Sequence, residues 1–417
     1  MSGALGTGDV VELEIGPVAH GGHCVARLAD DGGSGRVVFV RHTLPGERVR
    51  ARLTEAPSEA RYWRADAVEI VASSPDRVES PWPEAGPGGV GGAELAHVAL
   101  PAQRAWKSSV VTEQLARLGG VEHDVEVVPV PGDDERGGLH WRSRIDLRVD
   151  DAGRAGMTRA RSEEIVALDR MPLAHEGLDE LRLFSRRWPR GARLEAVAPS
   201  EGAPLVLVDG VPWRGSKPDT RPNARRSVTE VVEVAGREHR YRVAASGFWQ
   251  AHRGAPSTLV AEVLDAVGDV AGARLVDLYS GAGLLTVPLA AAVGTHGSVL
   301  AVEGDARAVK DARRNAHGLE HVELVEGEVA RSLLARAGQL EADVVVLDPP
   351  RQGAGRTVVA AVAATRARRV VYVACDPAAL GRDVAYLRAL GFELARVRAF
   401  DLFPMTHHVE AVAVLDR

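Results

Sequence analysis

At 417 residues, 45% hydrophobic and 26% charged, the chain is too long for one ordinary domain and reads as two or three soluble units, each able to bury its own core. No apolar run approaches the roughly 20 residues that span a bilayer, and the opening MSGALGTGDVVELEIG lacks the charged-then-apolar pattern of a signal peptide, so a membrane address is excluded and the cytoplasm is expected. A net charge of −6 leaves any polyanionic partner to local patches, and two cysteines, Cys24 and Cys375, exclude a disulfide framework and a four-thiolate metal site.

From Asp9 to Ile70 apolar and polar positions alternate in the short runs VVELEIG, GRVVFVR, ERVRARLTEA and RYWRADAVEIV. Glycine- and proline-containing turns separate them, which predicts a small antiparallel β-barrel over residues 1–72. SSPDRVESPWPEAGPGGVGGAEL then breaks all periodicity and marks a connector. PAQRAWKSSVVTEQLARLGG, from Pro101, reads as an amphipathic helix stopped by glycine. A mostly β stretch follows, with hairpin turns at Asp151-Ala152-Gly153 and Asp209-Gly210, so that 73–250 forms a central region. In 251–417 the runs ARLVDLYS, GSVLAVEG, VELVEGEV, ADVVVLDPP and RRVVYVAC are spaced by helical patterns. That rhythm predicts a doubly wound, largely parallel sheet and an α/β fold.

LVDLYSGAGLLTVPLA places Gly281 and Gly283 after a strand and at the opening of a helix, where backbone without Cβ can approach a nucleotide. A tight strand-to-helix turn explains the same glycines sterically. Twenty residues on, a second strand ends in Glu303, either a solvated carboxylate or an acceptor for ribose hydroxyls. The third glycine of the dinucleotide pattern is missing, so an adenosyl cofactor without pyrophosphate, S-adenosylmethionine, fits better than a nicotinamide dinucleotide. ADVVVLDPPR ends in Asp348 followed by two prolines, which terminate the ladder and hold that carboxylate at the ligand-binding edge of the sheet.

RRVVYVACDPAAL delivers Cys375 into a loop. By itself such a cysteine is either a small core residue or a nucleophile. Asp376 as N-cap and Pro377 as first helical residue put Cys375 beside a helix N-terminus, which favours the thiolate, while the charge of Asp376 opposes it. At the end of the chain VEAVAVL predicts a last strand that Glu410 opens, either as the solvated first residue of an edge strand or as a general base.

Taken together, DLYSGAGLLTVPLA, VVVLDPPR, YVACDPAAL and FDLFPMTHHVE, in this order, resemble the S-adenosylmethionine-dependent RNA uracil-C5 methyltransferases. VFVRHTLPGERVRARL resembles the TRAM domain, an OB-like RNA-binding barrel, and SGFWQAH is similar to the Phe-x-Gln-x-Asn segment of that family. The resemblance covers essentially the whole chain. It implies a C-terminal Rossmann-like methyltransferase domain behind the barrel and a mostly β central RNA-binding domain. It also implies Cys375 as nucleophile, Glu410 as proton acceptor, and Gln250, Tyr279, Gly281, Gly283, Glu303 and Asp348 around the cofactor and target base. The chemistry explains the residue types: a thiolate adding to C6 of uracil makes C5 able to attack a sulfonium methyl group, and a base must then take the C5 proton. Such a target has to be extruded or come from a loop.

Some relatives carry an iron–sulfur cluster on four cysteines between barrel and centre. Here Trp82, Val90 and Ala93 stand near those places, and two cysteines cannot ligate a cluster. Leu284 and His252 replace a polar residue and an asparagine of the family pattern. RYWR, HWRSR, FSRRWPRGAR and RPNARR interleave arginine with aromatics or cluster it in loops, predicting an RNA-binding front half. The resemblance implies 23S ribosomal RNA as first substrate and transfer RNA as second, with no obligate protein partner. RNA cytosine-C5 methylation, which also uses a cysteine adduct, and an RNA-binding protein with an inactive methyltransferase domain are the alternatives.

Overall fold

The computed structural model describes residues 5–28, 35–160 and 162–417. Five strands, Val10–Ala19, His23–Leu28, Arg36–Arg41, Arg48–Glu55 and Tyr62–Ala72, close into a barrel in the order first, second, third, fifth, fourth. The alternation is the cause: Val11, Leu13 and Ile15 of the first strand and Val49, Ala51 and Leu53 of the fourth point inward. One pairing departs from the expected antiparallel pattern, since the third and fifth strands run parallel. Cys24 lies fully buried in this barrel and its sulfur donates to the Thr43 carbonyl at 3.5 Å. Burial pushes its thiol up to about 12, which leaves Cys24 an inert core residue.

The helix expected after Pro101 spans Leu100–Gln114, relaxes into one π turn at Leu115–Gly119, and stops at Gly120 in the left-handed region with φ 62°. A seven-stranded antiparallel sheet follows, in the order 217–218, 211–214, 205–208, 193–197, 144–149, 155–158, 165–167. Its hairpins turn where predicted: Asp150 accepts from the amides of Ala152 and Arg154, and Asp209-Gly210 adopts φ of 48° and 77°. Trp82, Val90 and Ala93 are buried together in the core under this sheet, filling the connector with apolar side chains.

The C-terminal sheet has eight strands in the order Val322–Glu326, Ser298–Glu303, Arg274–Leu278, Val344–Leu347, Arg369–Ala374, Glu410–Asp416, Glu393–Asp401, Val127–Pro129. The first five are parallel. Arg274–Leu278 pairs on one side with the next strand in sequence and on the other with the strand two further on, so the connections diverge there and open a crevice at the carboxyl edge. The last strand is not an edge: Glu410–Asp416 is antiparallel to both neighbours and sits inside the sheet. Val127–Pro129, from the front half, adds in parallel to Glu393–Asp401, a strand the sequence rhythm does not reveal because it is only three residues long.

Helix Leu100–Gln114 ties the two halves together. Lys107, 1% exposed, donates to Asp401 at 2.5 Å and to the Phe403 carbonyl at 3.0 Å. Removing either partner would strand a charge in the core at a cost of several kcal/mol. No helix among the described residues is long and apolar enough to cross a membrane.

Candidate functional site

The strands of the C-terminal sheet bring Tyr279, Glu303, Asp348 and Cys375 to one edge because each residue ends a neighbouring strand. After Leu278 the chain must leave the sheet sharply. Tyr279, Gly281 and Gly283 take left-handed φ of 62°, 55° and 89°, and for a tyrosine this costs on the order of 1–3 kcal/mol. A Cβ on Gly281 would meet nothing within 4 Å, so its backbone faces open space. Glu303 pins the turn: Gly281 donates to Oε2 at 2.9 Å and Asp305 to Oε1 at 2.6 Å. A carboxylate has about four lone-pair sites, so two stay available for a ribose.

Beneath the turn lies Asp277, 1% exposed, which in the sequence reads only as part of an apolar strand. Thr286 Oγ1 donates to its Oδ2 at 2.6 Å, while Asp277 Oδ1 and Ser280 Oγ are buried with no partner among the described residues. An open glycine turn, a strand-end glutamate and two orphaned polar atoms together fit an adenosyl group with an amino-acid tail.

Burial pushes the Asp277 carboxyl up to about 7, the Glu303 charge adding to it and Thr286 opposing. The folded chain therefore holds this proton more tightly than the unfolded chain, whose ordinary value is 3.8. The associated stability is fully present below about pH 4 and is lost as pH rises through 7. Asp277→Asn removes the loss. Measured by urea unfolding, wild type should lose a few kcal/mol relative to this variant between pH 5 and pH 8, because each tenfold gain in proton affinity on folding is worth about 1.4 kcal/mol. A difference that stays constant with pH would show that Asp277 does not titrate there.

Cys375 and Glu410 meet through the antiparallel pairing of their strands, in which Ala374 lies opposite Ala411. Glu410 is 3% exposed, which removes the solvated-edge reading. Its carboxyl is held well above the usual range by burial and by the charge of Asp348. Asp348 is itself pushed up to about 7 by removal from water and by Asp277. Like charges in one dry crevice cannot all ionise, so this acid cluster retains a proton at neutral pH. The Cys375 thiol is raised to about 12, first by burial, then by the Glu410 and Asp348 charges, with Arg351 opposing. The helix N-terminus does not decide the matter, because Asp376 caps it, accepting from Ala379 at 2.8 Å. The arrangement offers a shielded sulfur nucleophile with proton-accepting carboxylates beside it.

The loop before Glu410 is built by the front half of the chain, which sequence reasoning missed. Gln103 accepts from the Met405 amide at 2.8 Å, Leu95 donates to the Met405 carbonyl, and Met405 itself adopts φ 68°. His407 approaches Glu94 at 3.4 Å, and His20 of the barrel reaches Asp376, next to Cys375, at 3.1 Å. A lone glutamine and a lone lysine on the buried face of PAQRAWKSSVV are the only signals that could have pointed here.

Gln250 enters from a different element, the segment after the hairpin Ser227–Val234 and Arg237–Ala244, and lines a cavity of about 350 Å³ with Ser143, His175 and Glu230. Its neighbour His252 is fully buried, donates from Nε2 to Asp133 at 2.9 Å, accepts from Gly254 at 2.9 Å, and stacks on Trp141. Leu284 packs its side chain against the core and offers its carbonyl, to which Tyr241 donates at 3.0 Å. Phe248 is 75% exposed, the most exposed large apolar side chain among the described residues. Three predicted RNA clusters are corrected in part, since Trp63 of RYWR, Trp141 of HWRSR and Trp188 of FSRRWPRGAR are all buried. In HWRSR, Trp141 is buried and Arg144 is spent on Glu230 at 3.0 Å, so these residues fasten the core. Arg64 lies over Tyr62 and pairs with Glu55 at 2.8 Å, whereas Arg226 in RPNARR is exposed.

Residues 222–417 match the family described as tRNA (Uracil-5-)-methyltransferase, and residues 6–68 match the TRAM domain. An uncharacterized RNA methyltransferase of Streptomyces coelicolor is 45% identical over 98% of this chain and 93% of its own length. One of Bifidobacterium longum is 42% identical over 97% and 96%. The crystal structure of Pyrococcus abyssi tRNA (uracil-54, C5)-methyltransferase in complex with S-adenosyl-L-homocysteine shares the fold, with a TM-score of 0.66 and 22% identity over 96% of this chain and 99% of that one. Two matched domains in the expected order and relatives similar along nearly the whole length lead to one conclusion: the chain belongs to the S-adenosylmethionine-dependent RNA uracil-C5 methyltransferase family.

Proposed function

We propose that this protein methylates C5 of a uridine in ribosomal RNA through a covalent adduct between Cys375 and C6 of the base. The observation that supports this most is the convergence of Cys375, Glu410 and Asp348 in one water-poor crevice beside the open Gly281 turn. S-adenosylmethionine supplies, when bound, a methyl group on a positively charged sulfur. Gly281, Glu303 and Asp277 hold that cofactor. The ionised member of the Asp348 and Glu410 pair accepts the thiol proton of Cys375 and passes it on to water, so the thiolate adds to C6 and a carboxylate is ionised again for the later proton removal. Negative charge then reaches C5, which takes the methyl group. Glu410 removes the C5 proton, the C5–C6 double bond re-forms, and Cys375 leaves. Phe248 offers an exposed ring on which the extruded base stacks. Two free thiols suit the reducing cytoplasm.

Transfer RNA is the second reading, favoured by the description of the matched family. Incubation with methyl-tritiated S-adenosylmethionine and either unmodified ribosomal RNA or transfer RNA, followed by nucleoside mapping, separates them. Label in 5-methyluridine of ribosomal RNA is expected. Label in cytosine, or in neither RNA, overturns the reading, and label confined to transfer RNA selects the second.

A further inference from the structure

A groove of about 1000 Å³ runs between the central sheet and helix Ala306–Asn315, away from the cysteine crevice. In a chain of net charge −6, this groove is cationic. It is lined by six arginines and one lysine against Glu195, Asp209 and Asp311. The acids are already engaged. Asp311 accepts from Ala244 at 2.7 Å and pairs with Arg314 at 3.1 Å, Asp209 accepts from the Arg193 amide at 2.9 Å, and Glu195 faces Arg193 at 3.5 Å. Arg148, Arg226 and Lys310 are exposed and have no side-chain partner among the described residues. Arg242 and Arg307 touch only the hydroxyls of Ser227 at 2.8 Å and Ser246 at 3.5 Å. A folded protein gains nothing from gathering five such cations unless an anion meets them, because they repel one another.

The groove ends where the target segment begins. Ser246, which receives Arg307, opens the stretch that carries exposed Phe248 and Gln250. We propose that this groove seats the phosphodiester backbone of the RNA flanking the methylated uridine, so that Arg148, Arg226 and Lys310 each neutralise a phosphate while the base reaches Phe248. The inference rests on the reading of the protein as an RNA uridine methyltransferase and adds the path of the strand to it. Arginine forks and a lysine aimed at one trough, without aromatic partners, suit phosphate oxygens and not base edges.

The test uses the full chain with Arg148, Arg226 and Lys310 all changed to glutamine, and a companion that keeps the three charges through Arg148→Lys, Arg226→Lys and Lys310→Arg. The affinity of a fluorescein-labelled oligouridylate is measured by anisotropy across a salt series. Loss of three phosphate contacts on a single strand should flatten the slope of log affinity against log salt by about 2 and weaken binding on the order of tenfold at low salt, while the charge-keeping companion stays at the wild-type slope. Cofactor affinity stays unchanged, which reports that the fold is intact. An unaltered slope and affinity in the glutamine variant would overturn the assignment, and so would an equal loss in the charge-keeping companion. Methylation by the wild type is scored separately, so failure of the uridine reading and failure of the groove are distinguishable.

Discussion

Cys375→Ala should abolish methyl transfer, lowering turnover by at least about 10⁴-fold, while cofactor affinity stays at the wild-type level. The reason is chemical: without a sulfur to add at C6, C5 never becomes nucleophilic, and a neighbouring carboxylate is too weak a nucleophile to take its place. The cofactor is untouched because Asp277 and Glu303 lie on the strands Arg274–Leu278 and Ser298–Glu303 and Gly281 in the turn after the first of them, none of them on the strand that ends before Cys375. The electrostatics add a second, independent readout. A thiol pushed up to about 12 has a thiolate fraction that rises roughly tenfold per pH unit below that value. Alkylation of Cys375 in the free protein is therefore slow at pH 7 and accelerates roughly tenfold per unit to about pH 10. Single-turnover assays with labelled cofactor, equilibrium cofactor binding, and mass-mapped alkylation check the three statements. A variant that still methylates removes Cys375 from the reaction, and pH-independent alkylation removes the burial argument.

Glu410→Gln should leave adduct formation possible and block its resolution. Turnover is expected to fall by roughly 10²–10⁴, the ordinary range for loss of a general base, and a protein–RNA species that survives denaturing electrophoresis should accumulate. The double variant Cys375→Ala, Glu410→Gln gives no such species. Above the pH at which Glu410 ionises, the neutral amide also removes the second-largest influence that holds the cysteine as a thiol, so alkylation of Cys375 at alkaline pH becomes faster in Glu410→Gln than in wild type. The fold tolerates the change, since the amide replaces a carboxyl that burial and Asp348 already hold toward its neutral form. Wild-type turnover in this variant, or a loss of activity without adduct, would assign proton removal to another group.

Three layers of the fold are legible along the chain. Period-two alternation announces the barrel, because a strand with one wet face must alternate. The apolar runs of the C-terminal third announce the parallel sheet, because both faces are covered by helices. Glycine pairs, Asp-Pro-Pro and Cys-Asp-Pro mark the edge where chain reversals occur. All three are local signals, carried by residues within a few positions of one another.

What is not legible is long-range. Whether Glu410 is a solvated first residue or a buried base cannot be read from VEAVAVL, since that depends on which strands flank it. The HWRSR cluster looks like an RNA surface because arginine and tryptophan read the same whether they face water or the core. Lys107 and Gln103, about 300 positions from the loop they hold, carry no motif at all. By itself the sequence determined the elements, their order and the residue types able to do the chemistry. Only the tertiary structure decided burial, and burial sets the protonation of Cys375, Asp348 and Glu410, because desolvation acts through every neighbour in space and not through neighbours along the chain.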